Sequence, residues 1–417
     1  MEQAAPAAGL LGARRQLAAI IDPRFQLPIA AVFTAFLGIG AIVPVLPGHM
    51  QQDLNSGDVE IGFVVGAYSV AALGSRIAAG RLVDARGGIV SVRLGLSVSF
   101  LAGLLFLLPL GLPALVAARM AQGVGAAFTF GGAAALIVAM APPDQRARAM
   151  GWLGVGPWGA LAVGPIVGAL IGSFGGTALF IVLLPLPAMA LVLRWRPIEA
   201  RGRSVAGGPH SRLFPREAML PGLALGMVSM GQVTLTGFLV LRMAGIGGGG
   251  ALAFGAYATG VVVARVLLSS IVDKLGSATG MLVGCLVAAT GFAVIALAPA
   301  SPIGVLGAVL CGLGFAFPWL ALLTFAFDRV GEHEKGAALG VLTATSDAAM
   351  FGGAILAGTI AGLLGYPAVF WAGAVWVLGS GALVIPAMRA ARLRTRVTNP
   401  QAALEAEAAA ELANPDV

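Results

Sequence analysis

Few of the 417 residues could do chemistry, and the notable ones stand inside apolar runs. Asp347, in TATSDAAMFGG, is the one acid well inside such a run, and Arg119, in RMAQGVGAA, is an embedded base. A charge at mid-membrane costs at least about 2.5–3.5 kcal/mol, so it is kept for a function or satisfied by hydrogen bonds. A carboxyl placed there can carry a proton, and an arginine near it can set how tightly the proton is held. Arg76 and Arg265 lie toward the ends of their runs, two turns before Asp84 and Asp273 and on the same side of a helix as those acids. Arg93 also lies near an end, where a long side chain snorkels to the interface. A second set suits a small amphipathic organic molecule: Tyr68, Trp158, Gln232, Tyr257, Phe315 and Trp319. The same residue types also serve ordinary packing.

Other chemistries find no support. No G-x-x-x-x-G-K-[ST] loop is present, so ATP is not the evident energy source. His49, His210 and His333 stand in or beside loops without a metal or nucleophile constellation, which leaves a membrane-embedded enzyme as a remote alternative. No cofactor and no metal are expected. The formal charge of +7 is spread over short loops and forms no arm or patch for nucleic acid. Cys285 and Cys311 sit inside apolar runs, where a disulfide has no evident role.

The elements that position these residues must be membrane spans. The chain is 59% hydrophobic and 10% charged, with mean hydropathy +0.95, against roughly a quarter charged residues in a soluble domain. A helix crosses a hydrocarbon core of about 30 Å with about 20 apolar residues. Twelve runs qualify, at about 27–49, 60–80, 89–110, 112–141, 149–173, 177–194, 218–242, 250–271, 278–299, 302–327, 335–364 and 366–388. They leave a segment at 1–26, an Arg-rich linker at 195–217 and a tail at 389–417. The first segment lacks a short apolar core with a small-residue cleavage site, so the first span is read as an anchor that stays. Alternate loops carry Arg81 and Arg86, Arg146 and Arg148, the linker arginines, Lys274, and Arg329 with Lys335, whereas the others hold only Arg242. The positive-inside rule then puts both termini in the cytoplasm. Twenty-three arginines against two lysines read as the coding bias of a high-GC bacterium. A monomer in the bacterial inner membrane is the expectation.

The runs form two copies of one plan. GAYSVAALGSRIAAGRLVDARG, from Gly66 to Gly87, shifted by 189 positions without a gap becomes GAYATGVVVARVLLSSIVDKLG, from Gly255 to Gly276. Tyr68, Arg76, Asp84 and Gly87 fall on Tyr257, Arg265, Asp273 and Gly276, and Gly123, Gly125 and Phe128 fall on Gly312, Gly314 and Phe317. Six spans per half is an even number, so equivalent spans cross in the same direction, a parallel repeat about an axis along the membrane normal.

The stretch GRLVDARGGI, with Gly80, Leu82, Asp84 and Gly87, resembles the G-x-L-x-D-x-x-G loop between the second and third spans of the major facilitator superfamily. Gly88 and Ile89 stand where that family usually has two basic residues, and Ser269 replaces the leading glycine in the second copy. Arg119, Gln122, Gly123 and Gly125 resemble its fourth-span pattern R-x-x-q-G-x-g, whose arginine is linked with proton coupling. Gly151 to Gly168, ending G-P-I-V-G with Gly164 and Pro165, resembles its antiporter signature, with Ala160 and Ala169 in place of two glycines. The resemblance implies an all-α fold of twelve spans in two six-helix halves related by a pseudo-twofold axis. It also implies a secondary transporter working by alternating access, most like the drug:proton antiporter branch. Its partners would be a small organic substrate, protons and the bilayer; the alternative is uptake by symport or facilitated diffusion. The family's cavity is built mainly from the first, fourth, seventh and tenth spans, which favours Gln232 and Trp319. Its loop aspartate, here Asp84, meets the start of the eleventh helix, here near Lys335 and Gly336, as a latch favoured by the helix dipole.

Depth completes the expectation. Arg119 lies about seven residues, or about 10 Å, from the outer end of its span, and Asp347 lies about twelve residues from the inner end of its own. In a core of about 30 Å that leaves Asp347 about 12 Å below the outer face. The matching depths point to Asp347 as proton carrier with Arg119 setting its affinity.

Overall fold

The computed structural model describes residues 23–141, 146–195, 215–267, 277–331 and 334–398, and every regular element among them is a helix. The chain divides into two compact units, Met1–Val205 and Ala206–Val417. The first holds α1 (Pro23–Ile42), α2 (Leu46–Gln52), α3 (Asp58–Arg86), α4 (Gly88–Leu107), α5 (Leu112–Met140), α6 (Arg146–Ile171), α7 (Phe174–Leu183) and α8 (Pro185–Arg194). The second opens with a 3-10 turn at Arg216–Ala218, followed by α9 (Met219–Ala244), α10 (Gly250–Leu267), α11 (Ser277–Leu297), α12 (Ser301–Phe327), α13 (Lys335–Leu364) and α14 (Tyr366–Thr398). Among the described residues ten helical stretches are long and apolar enough to cross a membrane. Gly156–Ile171 and Gly250–Ala264 are shorter apolar helices where the fifth and eighth spans are predicted.

Three predicted spans differ in detail. The first, expected unbroken over 27–49, stops at Ile42 and restarts at Leu46, because Pro44 and Pro47 have no N–H to give the ladder and their rings clash with the preceding turn. The amides of Val43 and Val45 instead reach back three residues, to Gly40 and Ile42, at 3.3 and 3.2 Å. The sixth span is interrupted at Leu184, ahead of Pro185 and Pro187. The twelfth, expected to end at 388, stays helical to Thr398, since Ala, Arg and Leu favour helix after the apolar run ends. The 389–417 tail therefore begins as helix; its end, the 1–22 stretch and most of the linker lie outside the described residues.

Within each unit the same partners pack. In the first, α5 lies on α3 and α4, and α6 on α1; in the second, α12 lies on α10 and α11, and α13 on α9. Two backbone approaches recur in both units. A Cβ on Gly123 would strike the carbonyl oxygen of Tyr68, and one on Gly312 would strike that of Tyr257. A Cβ on Gly95 would lie 2.8 Å from the Gly125 oxygen, and one on Gly284 would lie 2.9 Å from that of Gly314. Each pair is related by the 189-residue shift. The sequence repeat is thus a repeated set of backbone-to-backbone crossings, which small residues permit and which drive helix association in lipid.

Candidate functional site

In the N-terminal unit the site centres on α5. Arg119 is 3% exposed. Its Nη1 donates to Gln122 Oε1 at 2.9 Å and its Nη2 to the Val65 carbonyl of α3 at 3.3 Å. The guanidinium carbon lies 5.2 Å from the centroid of the Tyr68 ring. Gln122 Nε2 reaches toward the Gly38 carbonyl of α1 at 3.5 Å, and Gln122 also lines a void with room for about one water, beside Thr34, Ser99 and Leu184. The crossing at Gly123 puts this group together, because it brings α3 close enough for Val65 and Tyr68 to reach the arginine. Both acceptors are neutral, and Nε is buried without a hydrogen-bond partner. The described carboxylates of this unit, Asp53, Asp58, Glu60 and Asp84, all stand at helix ends. A dipole, an amide and a ring face therefore hold Arg119 within its own half, and none of the described acids of that half pairs with it.

The fifth span meets the first backbone to backbone. A Cβ on Gly164 would come 2.7 Å from the Gly40 Cα and 2.8 Å from the Ala41 nitrogen, and one on Gly168 would strike the Ala41 oxygen. Pro165 lies between them inside α6, and Gly151 belongs to the same helix. Trp158, also on α6, is half-buried.

At the end of α3, Gly80 and Asp84 are exposed, Arg76 is half-buried, and Gly87 ends the helix at φ +85°, a conformation that costs glycine little. Arg265 stands on α10; Asp273 and Gly276 lie outside the described residues. Arg93 does more than snorkel. Its Nη2 donates to the carbonyls of Val192 at 3.1 Å and Leu193 at 3.3 Å, closing orphan acceptors at the end of α8.

In the C-terminal unit Asp347 is 7% exposed, near the middle of α13, and is the one carboxylate away from a helix end among the described residues. The neighbouring face of α13 is stitched to α9. Thr345 Oγ1 donates to the Gly222 carbonyl at 2.9 Å, and the hydroxyls of Ser346 and Ser229 are 2.6 Å apart. Ser380 of α14 donates to the Ala224 carbonyl at 2.7 Å. Sequence reasoning did not single out these serines. The available signal was that small hydroxyl residues in apolar spans bond across helices.

The aromatic candidates separate. Tyr257 and Phe315 meet edge to face with centroids 6.0 Å apart, and Phe315 meets Phe292 at 5.9 Å. All three are buried. Gln232 and Trp319 are half-buried on α9 and α12, and the adjacent Gly231 lies against Phe315, 3.3 Å from a built Cβ to the ring. The structure thus joins Tyr68 to Arg119 in one unit and Tyr257 to Phe315 in the other.

Comparison with known proteins follows the same lines. The model of the Major Facilitator Superfamily matches residues 29–353 and, again, 223–413. The MFS-type transporter STM4428 of Salmonella typhimurium is 31% identical over 378 residues, 85% of this chain and 94% of that protein. The solved structure of the nucleoside transporter NupG superposes with a TM-score of 0.72 at 14% identity, covering 88% of this chain and 99% of NupG. That of the human organic anion transporter MFSD10 gives 0.64 at 17% identity, with 87% and 99% covered.

Proposed function

The chain belongs to the Major Facilitator Superfamily and is a multi-pass membrane transporter; from that premise we propose that it exports a small amphipathic organic compound by exchange for protons. Alternating access between two six-span halves would carry the cycle. The observation that supports export is the seam of Gly164, Pro165 and Gly168 on Gly40 and Ala41. The residues of the antiporter-like stretch make a physical contact between the fifth and first spans, with Pro165 between the two contacting glycines. The two structural neighbours carry different cargo by their titles, nucleosides and organic anions. Substrate class is therefore read from this chain's own candidates, Gln232, Trp319, Phe315, Tyr68, Tyr257 and Trp158.

In this reading Asp347 carries the proton and Arg119 sets its affinity. Burial inside a span supports the first role, and the placement of the described acids of its own half at helix ends, away from Arg119, supports the second. Asp84, exposed at the end of α3, serves as the cytoplasmic latch, with Gly80, Gly87 and Arg76 shaping that turn and Arg265, Asp273 and Gly276 as their counterparts. The protein sits in the inner membrane as a monomer with both termini cytoplasmic. The test is transport in proteoliposomes with an imposed pH gradient, screened over amphipathic organic compounds. Substrate should move against the proton flux; accumulation that requires protons to travel with the substrate rejects export.

A further inference from the structure

His49 takes part in none of the roles above. It stands on α2, the detached piece of the first span, and its imidazole lies flat on the ring of Phe174, the first residue of α7. The centroids are 3.8 Å apart and the planes 7° from parallel. His49 Nδ1 is 2.5 Å from Asp53 Oδ2. Asp53 closes α2, its own amide donating to the His49 carbonyl at 2.9 Å. Phe106, near the end of α4, meets Phe174 edge-on at 6.0 Å. One imidazole therefore ties the end of the first span to the start of the sixth, and one carboxylate holds that imidazole.

The piece so tied is able to move. The turn at Val43–Val45 lacks the helix ladder, and α2 has 7 residues, too few to hold a helix by itself in water. Its other anchors are the buried side chains of Leu46, Pro47 and Met50, the Met50 carbonyl, which accepts from the Ser56 amide at 2.9 Å, and the long Gln51–Asp58 hydrogen bond. A contact that changes strength with protonation would therefore be felt at α2 before any longer helix.

We propose that His49, clasped between Asp53 and Phe174, is a proton-binding site on the outer face of the N-terminal unit that fastens α2 to α7 when protonated and loosens it when neutral. A neutral imidazole makes one hydrogen bond to the carboxylate. A protonated one makes a charge-assisted pair and lies as a cation over the Phe174 face. Histidine is the side chain that ordinarily titrates between pH 5 and 8. Asp53 is the charged group in contact with it. Of the other charges nearby, Asp58 accepts from Gln51 Nε2 at 3.4 Å and Glu60 accepts from the Gly57 amide at 3.1 Å. The adjoining ends of α4 and α7, Leu105–Leu110 and Phe174–Thr177, bring no charge. The rim around His49 is acidic, and both of these carboxylates already hold a donor. Placement on the outer face rests on the topology proposed above. In an exporter driven by inward protons, this is the side from which they arrive.

The test uses the full-length protein with His210→Gln and His333→Gln, so that the one remaining histidine is followed by NMR through a pH titration. Asp53→Asn should move the His49 titration curve to lower pH, and Phe174→Leu should move it less. Spin labels on Gln52→Cys and Gly175→Cys should show a narrow distance distribution at pH 5 and a broader one at pH 8, with His49→Gln broad at both. A midpoint unmoved by Asp53→Asn, or distributions that ignore pH, would overturn the clasp. Transport should follow outside pH through His49. If it follows inside pH instead while the titration behaves as stated, the outward placement and the topology fail, not the clasp.

Discussion

The two halves share a backbone frame and divide the chemistry. Gly123 over Tyr68 and Gly312 over Tyr257 are one crossing built twice. Around it the side chains diverge. The first copy carries Arg119 and Gln122, and the second has Ala308 and Cys311 at the positions 189 residues on. Where Arg119 lies beside Tyr68, the second copy fills its interior with Phe254, Tyr257, Phe315 and Phe292 in edge-to-face contact. The acid goes the other way: Asp347 in the second copy answers to Trp158 in the first. The lesson is that the glycine crossings are what the repeat preserves, while the charged residue classed as buried is Arg119 in one half and Asp347 in the other among the described residues. Such a division puts a buried base in one half and a buried acid in the other, an arrangement in which a proton or a ligand can change the balance.

The comparison breaks most sharply if the cation is moved. Ala308→Arg puts a guanidinium where Cys311 cannot do what Gln122 does, so it should cost at least about 2.5–3.5 kcal/mol of insertion or folding free energy. Thermal unfolding in detergent and the yield of inserted protein measure it; a variant as stable as the parent means that the second frame also accommodates a charge. A smaller effect sharpens the difference between the two seams. Gly164→Ala drives a methyl into the Gly40 and Ala41 backbone and should cost about 1–3 kcal/mol. Gly353→Ala meets Met230 at 3.0 Å from Cγ and 3.1 Å from Cα, a looser approach than the 2.7–2.8 Å at Gly164, and should cost less. Equal losses in Tm would show that the first seam is no tighter than the second.

Much of this frame was legible in the sequence because hydropathy and a gapless shift of Tyr, Arg, Asp and Phe survive without knowledge of contacts. The breaks at Val43–Val45 and Leu184 were not, although Pro44, Pro47 and Pro185 were visible: a hydropathy run averages over the very residues that lose the ladder bonds. The extension of α14 to Thr398 escaped for the opposite reason, since helix formers continue after the apolar signal ends. Arg93 read as a snorkelling side chain because its partners, the last carbonyls of α8, lie about 100 residues away in sequence. Tyr257 and Phe315 could be named as candidates, but composition does not tell a ring that lines a cavity from one packed against Phe292. His49 looked like a loop residue until Phe174 was found beneath it.

The division of charge is tested most directly by Asp347→Asn in proteoliposomes, with substrate flux and proton flux recorded together across a range of pH. Proton-coupled transport should fall to the level of empty liposomes while the protein stays folded and still exchanges substrate down its own gradient. Coupled transport that survives with its pH dependence intact would place the proton carrier elsewhere and contradict the assignment.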